Sequence, residues 1–467
     1  MVDAANDAPQ DDGLPVPRRY WSAASVWLSL AMAVLDGAVA NVALPTMATQ
    51  LGASPASSVW IINAYQLTIT ILLLPLAALG DRLGYKRVYM PGVVLFTLGS
   101  LACALSGTLP LLIAARAFQG IGAACIMSMN PALVRATYPR SILGRGIGYN
   151  AMVLSLSAAL GPTLAALILS FGSWQWLFLI NLPLGLAALI VGQRALPDPV
   201  GHQRSFEWVS ALLSAAMMGL VVFGAETITR SGTAAGAMIA AGAAFGVVLV
   251  WRERGDPTPL MPVDLLRIPI FSLSIATSVV SFAAQTLAYV ALPFLFQSVL
   301  GRSVLVTGLL MTPWPIALGI SAPIAGRMAD RFSAGILGSV GLAIFAAGLF
   351  FLSRMGAHPS NFDIAWRMAV CGLGFGCFQS PNNRTILSSA PQQRSGAAGG
   401  MLATARLSGQ TVGAVAVGIA FHFAGVGSTP ALLLAAAVVA IAASGISLMR
   451  LRVAPAGRIA VYRPILD

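Results

Sequence analysis

Long apolar runs that carry no charge set the first constraint on this chain. Val59 to Ala78 is one such run and Val88 to Leu111 is another. Between them lies only the charge-dense turn Leu79-Gly80-Asp81-Arg82-Leu83-Gly84-Tyr85-Lys86-Arg87. A run of about 20 apolar residues crosses ~30 Å of hydrocarbon as a helix, with its backbone polar groups satisfied within the segment. Such runs recur from end to end. The whole is 57% hydrophobic and 9% charged, against about 25% charged in soluble domains, with a mean hydropathy of +0.83. The fold class is an all-α polytopic membrane protein.

Hydropathy and breaker residues place fourteen spanning helices, near residues 21–46, 59–79, 88–107, 109–132, 146–170, 175–194, 207–226, 234–251, 270–298, 304–325, 334–353, 364–386, 397–423 and 428–449. Loops after helices 1, 3 and 5 hold no Lys or Arg, whereas those after helices 2, 4 and 6 hold Arg82, Lys86, Arg87, Arg140, Arg145, Arg194 and Arg204. Positive charge collects on the cytoplasmic side, so both termini are expected in the cytoplasm. The same bias accounts for the net charge of +12 without invoking nucleic acid. Cys103, Cys125, Cys371 and Cys377 lie within helices and lack metal-ligand spacing, so they read as small packing residues. There is no Walker, HExxH or Ser/His/Asp pattern, and Gly372-x-Gly374-x-Gly376 lies within a spanning helix without a preceding strand. Neither an enzyme, a metal site nor a cofactor is expected.

The second half of the chain echoes the first. Val42-Ala43-Leu44-Pro45 returns as Val290-Ala291-Leu292-Pro293, 248 residues later, and Asp81-Arg82 returns as Asp330-Arg331, 249 later. Arg116 is matched with Arg367, 251 later, and Leu160-Gly161 with Ser408-Gly409, 248 later. Several landmarks at nearly one offset indicate duplication. The expected organisation is a tail at 1–20, a six-helix half at 21–196, a linker with two extra helices at 197–269, a second six-helix half at 270–450 and a tail at 451–467. Parallel halves of this kind place a substrate site at the midplane between them.

Asp36 is the one carboxylate near the middle of a predicted helix. A charge there is costly and tends to be paired or neutralised, which makes it a candidate to take up and release a proton. The alternative is a structural Asp permanently paired with an arginine. Arg116, about seven residues (~10 Å) into helix 4, cannot lose its proton and needs a partner. It either senses the charge on Asp36 or snorkels to the interface. Arg406, also mid-helix, either binds an anionic substrate, pairs with Asp36 or steadies a helix end. Glu226 reads as a turn residue, with a proton relay as the alternative. Asn41, Tyr65, Gln66, Asn150, Gln285, Tyr289, Met311 and Trp314 are candidate cavity residues. Aromatic faces and adaptable methionines suit an amphipathic substrate, with cations among the candidates.

These features together resemble the major facilitator superfamily, specifically its fourteen-helix drug:proton antiporter branch. Leu35-Asp36-Gly37 through Asn41-Val42-Ala43-Leu44-Pro45 is similar to that branch's first-helix motif. Leu79 to Arg87 resembles the loop motif between helices 2 and 3, with Ala77 where Gly is usual. Arg116-Ala117-Phe118-Gln119-Gly120-Ile121-Gly122 resembles the helix 4 motif linked with proton coupling. Gly161-Pro162 resembles the helix 5 antiporter motif, although Ser157, Ala165 and Ala166 replace its flanking glycines. Trp174-Gln175-Trp176 through Asn181-Leu182-Pro183 resembles the helix 6 entry, with Gln175 where Arg is common. The resemblance implies proton-coupled export by alternating access, with Asp36 and Arg116 coupling the proton. It also implies that Asp81, with Arg82, Gly84 and Arg87, latches the cytoplasmic side against the other half, near Ser395-Gly396. Asp330 and Arg331 would act likewise, and Gly161-Pro162 would bend helix 5. A monomer in a bacterial inner or plasma membrane is expected, with protons as coupling ions, lipid and a small molecule as partners, and no nucleic acid. A dedicated metabolite carrier of the same fold and a non-transporting receptor are the rivals.

Overall fold

Glycine, proline and serine set the helix ends. Gly84, at φ +97°, closes one helix and opens the next, a backbone conformation that costs glycine little. The Ser54, Ser231, Ser303 and Ser360 hydroxyls accept from backbone N–H groups at the starts of others. The computed structural model describes residues 13–197, 208–228, 231–253, 263–391 and 394–453. The N-terminal tail to residue 12, the segment with His202 and Arg204, and the C-terminal tail from residue 454 lie outside the described residues. So do the side chains of Arg140, Glu226, Ser395 and Gly396.

No strand occurs among the described residues. The first half comprises α1 (Arg18–Gln50), α2 (Trp60–Leu83), α3 (Tyr85–Ala104), α4 (Leu109–Thr137), α5 (Leu143–Phe171) and α6 (Asn181–Ala195). Two inserted helices follow, α7 (Trp208–Thr227) and α8 (Gly232–Arg252). The second half comprises α9 (Pro269–Phe294), α10 (Pro313–Met328), α11 (Ala334–Ser353), α12 (Asn361–Ser389), α13 (Ser395–Ala424) and α14 (Thr429–Val453). Short segments lengthen several of them: Pro55–Ser58 before α2, Trp176–Leu179 before α6, the π-turn Leu295–Val299 after α9 and Val304–Met311 before α10. Thirteen of these spans are apolar and long enough to cross a membrane. The fourteenth, α12, has the length but carries Arg367, Gln379, Asn382, Asn383 and Arg384.

The duplication is visible in the helix crossings. A Cβ on Gly122 of α4 would lie 2.3 Å from the Phe96 nitrogen and 2.6 Å from the Gly92 oxygen of α3. A Cβ on Gly374 of α12 would meet the Phe345 nitrogen at 2.3 Å and the Gly341 oxygen at 2.6 Å on α11. Only glycine permits backbones to approach so closely. These pairs put α11 at an offset of 249 from α3, and α12 at 252 from α4. The difference of three lies in the loop, which runs Leu105–Thr108 in the first half and Arg354–Ser360 in the second. The matching of Arg116 with Arg367 is therefore corrected. The residue 252 after Arg116 is Met368, fully buried, while Arg367 bonds Asp363 one turn back on α12. The matching of Gly161 with Gly409 shifts as well. Gly161 meets Ala38 of α1, and the equivalent contact is Gly413 against Thr286 of α9, again 252 on.

The two halves share one apolar core at the end bearing Thr46, where residues from Val39 to Met47 pack with Val290 to Phe296 and with Phe421. There Gln297 Nε2 donates to the Val42 carbonyl (3.0 Å) and Thr46 Oγ1 lies 3.4 Å from Gln297 Oε1. Toward the opposite end, bearing Asp81, the apolar cores are separate clusters, one mainly of the first half and one of the second. The inserted pair is held together where Gly224 faces Ile239 and Gly242 faces Val221. It lies against α2 and α13, with Phe223 stacked on Trp60 at 5.7 Å.

Candidate functional site

About five turns along α1, Asp36 points away from the space between the halves into the first six-helix half. Its side chain is buried. It forms an ion pair with Arg116 of α4, and its Oδ1 accepts from Gln119 Nε2 at 2.8 Å and from Asn181 Nδ2 at 3.0 Å. Ser100 Oγ of α3 accepts from the same two amides, at 2.8 and 3.2 Å. Arg116 is wholly buried, so it does not snorkel. Its Nε donates to the Ile61 carbonyl at 3.1 Å, its Nη1 donates to Gln119 Oε1 at 2.5 Å, and the Tyr65 ring covers its guanidinium at 4.1 Å. Four helices thus converge on one carboxylate. A buried pair is costly unless its remaining donors and acceptors are satisfied, and this one is nearly so.

The counterparts in the second half are apolar. Ala284 stands 248 residues after Asp36; Met368 and Cys371 stand 252 after Arg116 and Gln119; Leu349 stands 249 after Ser100. All four are fully buried. The backbone scaffold packs with apolar side chains at these positions in one half, so polar ones there are not a requirement of the fold.

A cavity of about 250 Å³ lies between the halves, lined by residues of α1, α2, α4, α5, α9, α10, α12 and α13. Asn41, Tyr65, Gln66, Gln285, Tyr289, Trp314 and Arg406 line it, as the sequence suggests. Two candidates do not. Asn150 exchanges hydrogen bonds with Asn130 (3.1 and 2.8 Å), tying α5 to α4. Met311 is fully buried in the shared core. Asp36 does not line the cavity either; Tyr65, whose hydroxyl donates to the Ala33 carbonyl at 3.0 Å, is the lining residue stacked on its partner arginine. Tyr65 and Trp314 occupy equivalent places, because Gly120 lies against the Tyr65 carbonyl and Gly372 against the Trp314 carbonyl. Behind Tyr65 is the ion pair; behind Trp314 are Tyr289 and Phe345, at 5.6 and 5.5 Å.

Sequence reasoning missed Gln119 and Asn181 as carboxylate partners, Ser100 as the hydroxyl that accepts from both amides, and Gln379 and Gln410 as cavity residues. The first two stand inside the motifs quoted above, beside the residues singled out.

The gate residues sit within their own halves. Asp81 accepts from the Tyr85 hydroxyl at 2.9 Å, and Asp330 pairs with Arg384 at 2.5 Å. Among the described residues no hydrogen bond or ion pair joins Asp81 to the start of α13, where the Ser395 and Gly396 side chains lie outside the described residues; Gly400 farther along α13 lies against Leu74 of α2. Gly161 and Pro162 lie where α5 crosses both α1 and the segment before α10: a Cβ on Gly308 would lie 2.5 Å from the Pro162 oxygen. Beside them Thr163 and Thr312 share a 2.6 Å hydrogen bond across the halves.

The model of the Major Facilitator Superfamily matches residues 26–414. The chain belongs to that superfamily. It is 51% identical over 447 residues to Uncharacterized transporter YebQ of Escherichia coli (strain K12), covering 95% of this chain and 98% of that one. Riboflavin transporter RibZ of Clostridioides difficile (strain 630) is 29% identical, over 82% of this chain and 83% of its own. Multidrug resistance protein Stp of Mycobacterium tuberculosis is 31% identical, over 84% and 74%. Among solved structures, a bacterial homologue of the human lysosomal transporter Spinster superposes with a TM-score of 0.68 at 14% identity, covering 94% and 98%. This superfamily member is accordingly a multi-pass membrane transporter and not an enzyme.

Proposed function

We propose that the protein is a proton-coupled antiporter that exports small amphipathic compounds across a bacterial cell membrane by alternating access. Its termini would lie in the cytoplasm. The observation that carries the reading is the polar cluster around Asp36, built into a half whose structural twin packs the same positions with Ala284, Met368, Cys371 and Leu349. An intramembrane ionisable group with designed partners is functional by default.

In this reading the conformation is inward-facing: the Thr46 end is sealed by the shared core, and the Asp81 end holds separate cores for the two halves. Asp36 is ionised and held by Arg116. Protonation from the outside, in the opposite conformation, would break the ion pair and free Arg116 from its hold on α1. Because Asp36 lies behind Tyr65 rather than in the cavity, proton and substrate would compete through the positions of α1, α4 and Tyr65, not for one carboxylate. The identity of Stp as a multidrug resistance protein supports export of diverse compounds. RibZ favours a second reading, a dedicated metabolite carrier.

The test is uptake into everted membrane vesicles of fluorescent amphipaths of positive, zero and negative charge, with riboflavin included, for wild type and Asp36→Asn. Proton-driven accumulation by wild type, abolished by an uncoupler and by Asp36→Asn, is the expected result. Undiminished accumulation by Asp36→Asn sinks the assignment of the proton site. Transport of riboflavin alone favours the dedicated carrier.

A further inference from the structure

The cavity wall carries one charge among its lining residues, and it is a cation. Arg406 of α13 faces the space between the halves, and its Nε is buried without a hydrogen-bond partner in the protein. No ion pair among the described residues involves it. Asp36 is engaged by Arg116, Gln119 and Asn181, which rules out the pairing of Arg406 with Asp36 considered from sequence. The twin position, 252 residues earlier, is Leu154, which also lines the cavity. The scaffold therefore takes a leucine at this place in one half and a guanidinium in the other. A guanidinium with its Nε shut off from water and no ion-pair partner is unfavourable unless something brings it a negative charge.

The surroundings fit an anion with an apolar body. Gln410 follows Arg406 by one helical turn, and Gln379 of α12 lines the same cavity, so amide donors accompany the guanidinium there. The buried Trp314 Nε1 is a second donor without a partner. Tyr65, Phe282, Tyr289 and Trp314 also line the cavity and offer flat apolar faces. A guanidinium presents parallel N–H groups that match a carboxylate, sulfonate or phosphate.

We propose that Arg406 is the substrate anchor and that the preferred substrates are aromatic or fused-ring monoanions rather than cations. This rests on reading the cavity as the transport site, but not on proton coupling. The test is therefore equilibrium binding, in which nothing need be transported. Purified full-length protein in nanodiscs is titrated with naphthalene-2-carboxylate, naphthalene-2-carboxamide and (2-naphthylmethyl)trimethylammonium, three probes with one ring system and three charges, against protein-free nanodiscs. Wild type is expected to bind the carboxylate at least tenfold more tightly than the other two. Arg406→Gln should bring the carboxylate down to the affinity of the amide, and Arg406→Lys should retain part of the preference. A wild-type protein that binds the ammonium as tightly as the carboxylate overturns the proposal, whatever the variants do. So does an Arg406→Gln protein that keeps the tenfold preference. A failure of proton-driven accumulation in vesicles with the binding order intact would overturn the antiport reading and leave the anion site standing.

Discussion

Replacing Arg116 by methionine, the residue that its twin position holds, isolates the energetics of the cluster. The single variant strands the Asp36 carboxylate in the bundle, and breaking a buried pair from one side costs ~3–5 kcal/mol. Asn181 and Gln119 still donate to it at 3.0 and 2.8 Å, so the low end, ~3 kcal/mol, is expected. Adding Asp36→Ala, again the twin residue, removes the stranded charge. The two amides then lose an acceptor but keep the Ser100 hydroxyl, leaving a residual cost of ~1 kcal/mol. Arg116→Met/Asp36→Ala should thus be about 2 kcal/mol more stable than Arg116→Met alone, though it carries one more change. Unfolding by SDS in mixed micelles, run on wild type, both singles and the double, measures this as a coupling energy. Additive single costs would refute the view that the pair is one electrostatic unit. The double variant is also expected to accumulate nothing under a proton gradient.

Three further outcomes follow from the geometry. Gly122→Ala should destabilise by at least ~1–3 kcal/mol, since its Cβ would overlap the α3 backbone at 2.3 Å. Gly148→Ala, with nothing within 4 Å, should instead stabilise by ~0.5–1 kcal/mol; thermal unfolding of the two in one detergent compares them. Tyr65→Phe loses the bond to the Ala33 carbonyl but keeps the ring over Arg116. It should cost ~1 kcal/mol, whereas Tyr65→Ala should also weaken proton-driven uptake in vesicles. Thr46→Cys/Gln297→Cys, bridged by a short thiol cross-linker, should lock the shared core at that end and cut transport by more than about tenfold, reversed when a cleavable linker is reduced.

The fold was legible because hydrocarbon allows few solutions: charge-free runs of spanning length become helices, and the shared tetrapeptide with Asp81-Arg82 and Asp330-Arg331 reveals the two halves. Heights along helices were legible for the same reason, which is why Asp36 and Arg116 could be brought to one level. Azimuth was not. Asn150 and Met311 stand on the right helices but turn toward Asn130 and toward the shared core. With the apolar environment nearly uniform around each helix, no amphipathic stripe marks the face that meets the cavity. The register of the repeat slipped by three residues at one loop, a shift that single-residue matches such as Arg367 could not reveal. The latch was expected from the resemblance of the Leu79–Arg87 motif, yet whether Asp81 reaches the other half depends on how the two halves are arranged at that end, which the motif does not encode.

If the proton and anion sites are as proposed, Arg406 would decide where a membrane voltage can act. With Asp36 ionised, the Asp36–Arg116 pair would be neutral and the two sites together would hold one positive charge, that of Arg406. A bound monoanion would cancel it, so the outward passage of substrate would move no net charge. After release outside and protonation of Asp36, Arg116 and Arg406 together would give two positive charges that a negative interior draws inward. Each such charge is worth ~2.3 kcal/mol per 100 mV, or ~4.6 kcal/mol for the pair. The potential would then do its work on the empty, protonated carrier, and the returning step rather than the exporting one would be electrogenic.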